Sequence, residues 1–132
     1  MTRILIVDDS NAVCEQLRRV VERNPEWEVC GHAQNGREAV DCALKQIPDL
    51  ILLDYRLPII NGLQAAREIS RLLPNARLLL CSMHVSLDLS EAAREAGCHG
   101  AVSKYDSRQI IVAIAALLKQ ETFFTPETIS SW

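Results

Sequence analysis

Short apolar runs alternate with stretches of helical periodicity along the chain. The apolar runs predict five buried strands, at residues 3–7, 27–33, 49–53, 76–81 and 99–103. The periodic stretches predict five helices, over about 11–23, 37–46, 63–73, 87–96 and 107–119. Regular alternation of this kind is typical of a parallel sheet with helices on both faces. The pattern therefore predicts an α/β fold with right-handed crossovers.

Capping and turn residues mark the boundaries of these elements. Ser10 is a good N-cap for the first helix, and Asn24-Pro25 ends it. Gly97 is a good C-cap for the fourth helix. Glu28 and His32 interrupt the second apolar run, which favours an edge position for that strand.

Composition narrows the class of protein. A chain of 132 residues that is 48% apolar is long enough for one full core, so we expect a single domain. The net charge of −3 argues against a basic stripe for nucleic acid. No apolar run reaches the roughly 18 residues of a membrane span, and no signal-peptide layout opens the chain. Five cysteines without Cys-x-x-Cys spacing suit small buried side chains in a reducing compartment. We therefore expect a cytoplasmic protein.

Three acidic residues follow two of the predicted strands. Asp8 and Asp9 follow the first strand, and Asp54 follows the third. If these strands are parallel neighbours, the carboxylates meet at the carboxyl edge of the sheet, where open α/β folds bind ligands. Each pair would repel by roughly 4 kcal/mol at ~4 Å and an effective dielectric of about 20. The cluster therefore requires a raised pKa or a cation, and oxygen ligands favour Mg²⁺.

Two further residues stand at strand ends. Ser82 follows the fourth strand, and Lys104 follows the fifth. Together with the acids they predict a site that holds a phosphoryl group.

This set of strand-end residues resembles the receiver domain of bacterial response regulators. The resemblance covers about residues 3–119 and includes the loop from Asp54 to Gly62. It implies a five-stranded parallel sheet in the flavodoxin-like order 2-1-3-4-5.

The resemblance also implies a role for each residue. Asp54 would be the nucleophile that becomes an aspartyl phosphate. Asp9 and Asp54 would bind Mg²⁺ with the backbone carbonyl of Arg56, and Asp8 would lie nearby or act through water.

Two other residues would contact the transferred group itself. Lys104 would pair with a phosphoryl oxygen. Ser82 would donate a hydrogen bond to the phosphoryl group once it is present.

Two positions depart from the family pattern. Ala101 stands three residues before the lysine, where the family often has an aromatic side chain. Tyr105 follows the lysine, where the family often has proline. Neither change affects the acids, but a switch based on an aromatic rotamer at position 101 is not available.

The last residues indicate the kind of output. The segment from Phe123 to Glu127 is similar to the connection that follows the receiver in LuxR-type DNA-binding regulators. We therefore expect a receiver domain at 1–119 and a tail or linker at 120–132. The expected partner is a histidine kinase. DNA is expected as a partner only through an output domain that is absent from these residues. The expected catalysis is limited to self-phosphorylation and dephosphorylation, and the chain is either a piece of a regulator or a stand-alone receiver.

Other function classes remain as alternatives. A protein-binding module of the same fold that is never phosphorylated would not need the acids and Lys104. A flavodoxin-like electron carrier would cradle a phosphate in its first loop, where Asp8 and Asp9 would repel it. A dinucleotide enzyme would have Gly-x-Gly-x-x-Gly after the first strand, and the sequence has none.

The fifth predicted helix is more apolar than one buried face requires. Residues 110–118 are apolar throughout, whereas a stripe such as Ile110, Ile114 and Leu117 would cover the sheet. We expect a homodimer through helix 107–119 that buries part of the excess. Alternatively, helix four and the tail cover that excess within the monomer.

Overall fold

The computed structural model describes residues 1–125. The strands are β1 Thr2–Val7, β2 Trp27–Ala33, β3 Leu50–Asp54, β4 Arg77–Ser82, β5 Gly100–Ser103 and β6 Phe123–Phe124. The helices are α1 Asn11–Val21, α2 Gly36–Gln46, α3 Gly62–Leu72, α4 Leu87–Glu95 and α5 Ser107–Leu118. Within residues 1–125, no helix combines the length and apolarity needed to cross a bilayer.

All paired strands are parallel, and the sheet order is β2-β1-β3-β4-β5-β6. The α/β fold and the order 2-1-3-4-5 are therefore confirmed, with β2 at an edge. The prediction of exactly five strands is wrong, because β6 extends the sheet beyond β5. A strand of two residues has no detectable periodicity, and its pairing is decided by tertiary contacts rather than by local sequence. The rest of the predicted tail, residues 126–132, lies outside the described residues.

The capping residues act as the sequence indicated. The Ser10 hydroxyl accepts a hydrogen bond from the Val13 N–H at 3.3 Å and so begins α1. Gly97 follows α4 with φ +98°, a conformation that costs glycine little. The helix boundaries thus fall within about two residues of those predicted.

The core forms two layers, one on each face of the sheet. Leu5 and Ile51 pack under α2, α3 and α4, whereas Ile4 and Leu52 pack under α1 and α5. Because β1 and β3 bury alternate side chains on both faces, each reads as a continuous apolar run. Three cysteines are buried in these layers, and the other two are partly buried.

Candidate functional site

The three predicted acids meet at the carboxyl edge of the sheet. β1 and β3 are neighbours, so Asp8 and Asp9 follow one strand next to Asp54 at the end of the other. One carboxylate oxygen from each residue lies within 4.8 Å of the other two. Asp8 and Asp54 are buried, and Asp9 is exposed. The cluster therefore has two buried carboxylates and one that faces solvent.

Lys104 joins the buried pair of acids. Its Nζ lies 3.2 Å from Asp8 Oδ2 and 3.3 Å from Asp54 Oδ2, and its side chain is 10% exposed. The Lys104 backbone N–H donates to the Ser82 carbonyl at 2.9 Å, which aligns the end of β5 with the end of β4. One ammonium group offsets one of the three acidic charges. The site therefore keeps an excess of negative charge when all the acids are ionised.

Opposing influences act on the pKa of Asp54. Burial, followed by the charge of Asp8, raises the pKa of Asp54 to about 6. Lys104 and the Arg56 backbone N–H act to lower that pKa but do not outweigh the first two causes. Burial also acts to lower the pKa of Lys104, yet the two carboxylates together raise it. Near neutral pH Asp54 is thus largely ionised and Lys104 is charged.

Local bonds fix the Asp8 side chain. Asp8 Oδ1 accepts a hydrogen bond from the Ser10 N–H at 2.9 Å, and Oδ2 contacts Lys104. The residue that caps α1 therefore also orients an acid of the site. The sequence indicated Ser10 only as a cap, because its backbone contact depends on the path of the loop.

Ser82 is buried at the end of β4, one residue beyond the partner of Asp54 in the sheet register. It lines an open groove of about 680 Å³ with Tyr55, Arg56, His84 and residues of α4. Arg56 and His84 are exposed at the rim of that groove. The structure thus brings Ser82 and Arg56 to the same edge as the acids and Lys104.

Two glycines shape the loop after Asp54. A Cβ on Gly62 would lie 2.2 Å from the Asp54 carbonyl oxygen, and the Gly62 N–H donates to the Tyr55 carbonyl at 2.8 Å. A Cβ on Gly36 would lie 2.1 Å from the Ile60 carbonyl oxygen. The sequence marked Gly62 as part of a turn, but the close approach of the Asp54 backbone appears only in three dimensions.

Fold and site together define a doubly wound α/β domain with an acidic centre at the carboxyl edge of its sheet. Residues 4–116 match the family described as the response regulator receiver domain. The chain therefore belongs to the response regulator receiver domain family, as its strand-end residues indicated.

One solved structure is similar in fold, and two curated relatives are longer than this chain. A two-component response regulator of the LuxR family from Aurantimonas sp. SI85-9A1 has a similar structure, with TM-score 0.90 and 34% identity over 96% of this chain and 91% of that one. The transcriptional regulatory protein DegU from Brevibacillus brevis is 28% identical over 126 residues, which is 95% of this chain and 53% of DegU. Protein-glutamate methylesterase/protein-glutamine glutaminase 2 from Photobacterium profundum is 37% identical over 81 residues, 61% of this chain and 21% of that enzyme. The chain thus spans about half or less of the length of these two curated relatives.

Proposed function

We propose that the chain is a phosphoacceptor that takes a phosphoryl group on Asp54 from a histidine kinase. The observation that carries this proposal is the contact of Lys104 with both buried acids, Asp8 and Asp54. A structural ion pair needs one acid for one lysine, whereas a site with excess acids suits a cation and a transferred anion.

The reaction is a transfer from nitrogen to oxygen. A carboxylate oxygen of Asp54 attacks the phosphorus of a phosphohistidine, and the new O–P bond forms as the P–N bond breaks. The electron pair of the broken bond leaves with the imidazole, which takes up a proton. Asp54 must be ionised to attack, and a pKa of about 6 leaves most of it ionised at neutral pH.

The donor set fits Mg²⁺. When bound, Mg²⁺ supplies positive charge that offsets the clustered carboxylates and the oxygens of the phosphoryl group. Asp9, Asp54 and the Arg56 backbone carbonyl would hold the ion. Asp8 would lie beside it or act through water, since both Asp8 oxygens already accept contacts from protein groups.

Lys104 and Ser82 would act on the product. Lys104 already reaches Asp54 and would move its contact to a phosphoryl oxygen. Ser82 would donate its hydroxyl to another phosphoryl oxygen. Because the Ser82 bond exists only after phosphorylation, it would bias the conformation of the loop between β4 and α4.

The proposed output is transcriptional control. Support comes from similarity to DegU, a transcriptional regulatory protein, and to a regulator of the LuxR family. The similarity to a methylesterase makes a different output the alternative. In this proposal residues 1–119 are the receiver, 120–132 begin the connection, and DNA is contacted only by a separate output domain. Histidine kinases that phosphorylate such receivers would meet this one in the cytoplasm.

Intact mass after treatment with acetyl phosphate and Mg²⁺ tests the phosphoacceptor. The wild type should gain one phosphoryl group, and Asp54→Asn should gain none. Asp41→Asn removes an exposed acid of α2 and serves as the matched control, which should behave like the wild type. An equal gain in wild type and Asp54→Asn would reject the assignment. No gain in any protein would favour the alternative, a protein-binding module that is not phosphorylated.

A further inference from the structure

The peptide group between Asp8 and Asp9 joins a buried acid of the site to an exposed one. The Asp8 N–H donates to the Ala33 carbonyl at 3.0 Å, which places the backbone of Asp8 beside the end of β2. Because Asp8 is only 1% exposed, its carbonyl is shielded from solvent. A carbonyl in that position needs a donor from the protein.

The thiol of Cys14 is a donor to the Asp8 carbonyl. Cys14 Sγ lies 3.4 Å from the Asp8 carbonyl oxygen, and the contact is buried. Within residues 1–125 the structure shows no second donor to this oxygen. A thiol is a weak donor, but a buried carbonyl without any partner loses its hydration and gains nothing in return. The bond therefore favours one direction of the carbonyl.

The first turn of α1 places this thiol. The Cys14 N–H donates to the Ser10 carbonyl at 3.0 Å, and the Ser10 N–H donates to Asp8 Oδ1 at 2.9 Å. Cys14, Leu17 and Val21 belong to the apolar layer that anchors α1 on the sheet. The start of α1 therefore holds Asp8 at two points, its carboxylate and its carbonyl.

The same bond acts on Asp9. The Asp9 N–H belongs to the planar peptide group that carries the Asp8 carbonyl, so the two turn together. Turning this group would change the direction in which the Asp9 side chain leaves the backbone. One Asp9 carboxylate oxygen lies within 4.8 Å of an oxygen of Asp8 and of an oxygen of Asp54. This spacing, which suits a cation, therefore depends on the orientation of the peptide group.

We propose that Cys14 is a positioning residue of the cation site, whose thiol bond to the Asp8 carbonyl directs Asp9 toward Mg²⁺. This role rests on the proposed function, in which Asp9 holds the ion. Because Cys14 acts through Asp9, its loss weakens Mg²⁺ binding. The transfer of a phosphoryl group to Asp54 is unaffected once the ion is bound.

Titration of the full 132-residue chain with Mg²⁺, followed by amide chemical shifts, measures this role without phosphorylation. Cys14→Ala removes the donor and should weaken Mg²⁺ binding about fivefold, the usual effect of one lost hydrogen bond. Cys14→Ser differs from Cys14→Ala by one hydroxyl, which can donate to the same carbonyl. The serine variant should therefore stay within about twofold of the wild type.

Phosphorylation by acetyl phosphate adds a second readout. When Mg²⁺ is limiting, Cys14→Ala should be modified more slowly than the wild type. At saturating Mg²⁺ the two rates should agree, because the variant differs only in how tightly it holds the ion. A residue that merely filled space near Asp54 would change the rate at every Mg²⁺ concentration.

Cys98→Ala is the matched control. Cys98 is 5% exposed and Cys14 is 7% exposed, but Cys98 belongs to the opposite layer of the core. Each alanine variant loses one buried sulfur, so both should be destabilised to a similar extent in urea. Cys98→Ala should nevertheless keep the Mg²⁺ affinity of the wild type.

The outcomes separate the role of Cys14 from the phosphoacceptor function. Wild-type affinity in Cys14→Ala rejects the role of Cys14 alone. Equal weakening in Cys14→Ser or in Cys98→Ala, or a slow rate in Cys14→Ala at saturating Mg²⁺, also rejects it. If the affinities differ as expected but acetyl phosphate does not modify Asp54, the phosphoacceptor function fails and the role of Cys14 stands. If the wild type binds no Mg²⁺, both fall.

Discussion

At the scale of single residues, the site is defined by an imbalance between acids and bases. Asp8 is fixed by the Ser10 N–H and by Lys104, and Asp54 shares the same lysine. Two buried carboxylates that share one ammonium group cannot both be fully compensated. Burial of Asp54, followed by the charge of Asp8, raises the pKa of Asp54, and the shared Lys104 only partly offsets these two causes.

The first residue-scale prediction concerns stability and pH. The pKa of Asp54 is about 6 when folded and near 3.8 when unperturbed, so the unfolded chain releases this proton at lower pH. The Asp54 carboxyl makes its full contribution to stability below about pH 4, and that contribution is lost as the pH rises through about 6. We therefore expect Asp54→Asn to change the free energy of unfolding more favourably at pH 8 than at pH 4. The difference between the two effects should be about 2 to 3 kcal/mol.

Urea denaturation in EDTA at the two pH values measures this difference. Asp41→Asn, an exposed acid, should show almost no pH-dependent difference. The explanation of the raised pKa fails if Asp54→Asn changes stability equally at both pH values.

The second residue-scale prediction concerns the rim of the groove. Arg56 and His84 are exposed and line the approach to Ser82 without contacting the acids through their side chains. Replacing either by alanine should change the half-life of the aspartyl phosphate by altering how water reaches it, and Mg²⁺ affinity should stay nearly the same. Phosphoryl loss followed by mass spectrometry checks this. Identical half-lives in wild type and both variants would show that the rim is inert.

At the scale of elements, the sequence predicted the five longer strands and the five helices but not the two-residue strand β6. Apolar runs identified the five strands, and helical periodicity identified the five helices. The residues at the strand ends and in the loop after β3 identified the candidate site positions from the sequence alone. The two residues of β6 are too few to show a periodic pattern. Their pairing with β5 depends on the absence of a side chain at Gly100, where a Cβ would lie 2.5 Å from the Phe123 carbonyl oxygen. The sequence also could not show that position 62 requires glycine, because the requirement comes from the close approach of the Asp54 backbone, eight residues earlier.

The element-scale prediction therefore concerns Gly62. Gly62→Ala places a Cβ 2.2 Å from the Asp54 carbonyl oxygen, so the loop after β3 must shift. We expect a loss of roughly 2 kcal/mol or more in unfolding free energy and slower phosphorylation of Asp54. Gly31→Ala in β2 is the matched control, since its Cβ would meet ordinary contacts at 3.6 and 3.9 Å. Comparable stability and phosphorylation in the two variants would contradict the role given to Gly62.

At the scale of the whole molecule, α5 determines which surface is free for association. Ile110, Ile114 and Leu117 are buried as expected, and Val112 is 54% exposed. Ile111, Ala115 and Leu118 are partly buried against the layer under α1 and α5, which Phe123 also contacts. The monomer thus covers part of the apolar excess of α5, and Val112 marks the part that stays open.

The homodimer remains a prediction at this scale. A two-fold contact through α5 would bury Val112 and its copy together, and phosphorylation is expected to strengthen it. Val112→Asp should abolish the dimer in sedimentation velocity, with and without beryllofluoride. Leu44→Asp changes an exposed side chain of α2, 45% exposed, and should leave association unaltered. A wild type that sediments only as a monomer in both states would reject the dimer.

Locating the phosphoryl group on the chain tests the central claim most directly. Treatment with acetyl phosphate and Mg²⁺, reduction of the acyl phosphate with borohydride, and peptide mapping identify the modified residue as homoserine. We expect homoserine at position 54 alone, and none when EDTA replaces Mg²⁺. Homoserine at Asp8 or Asp9, or modification of Asp54 that is independent of Mg²⁺, would contradict the claim.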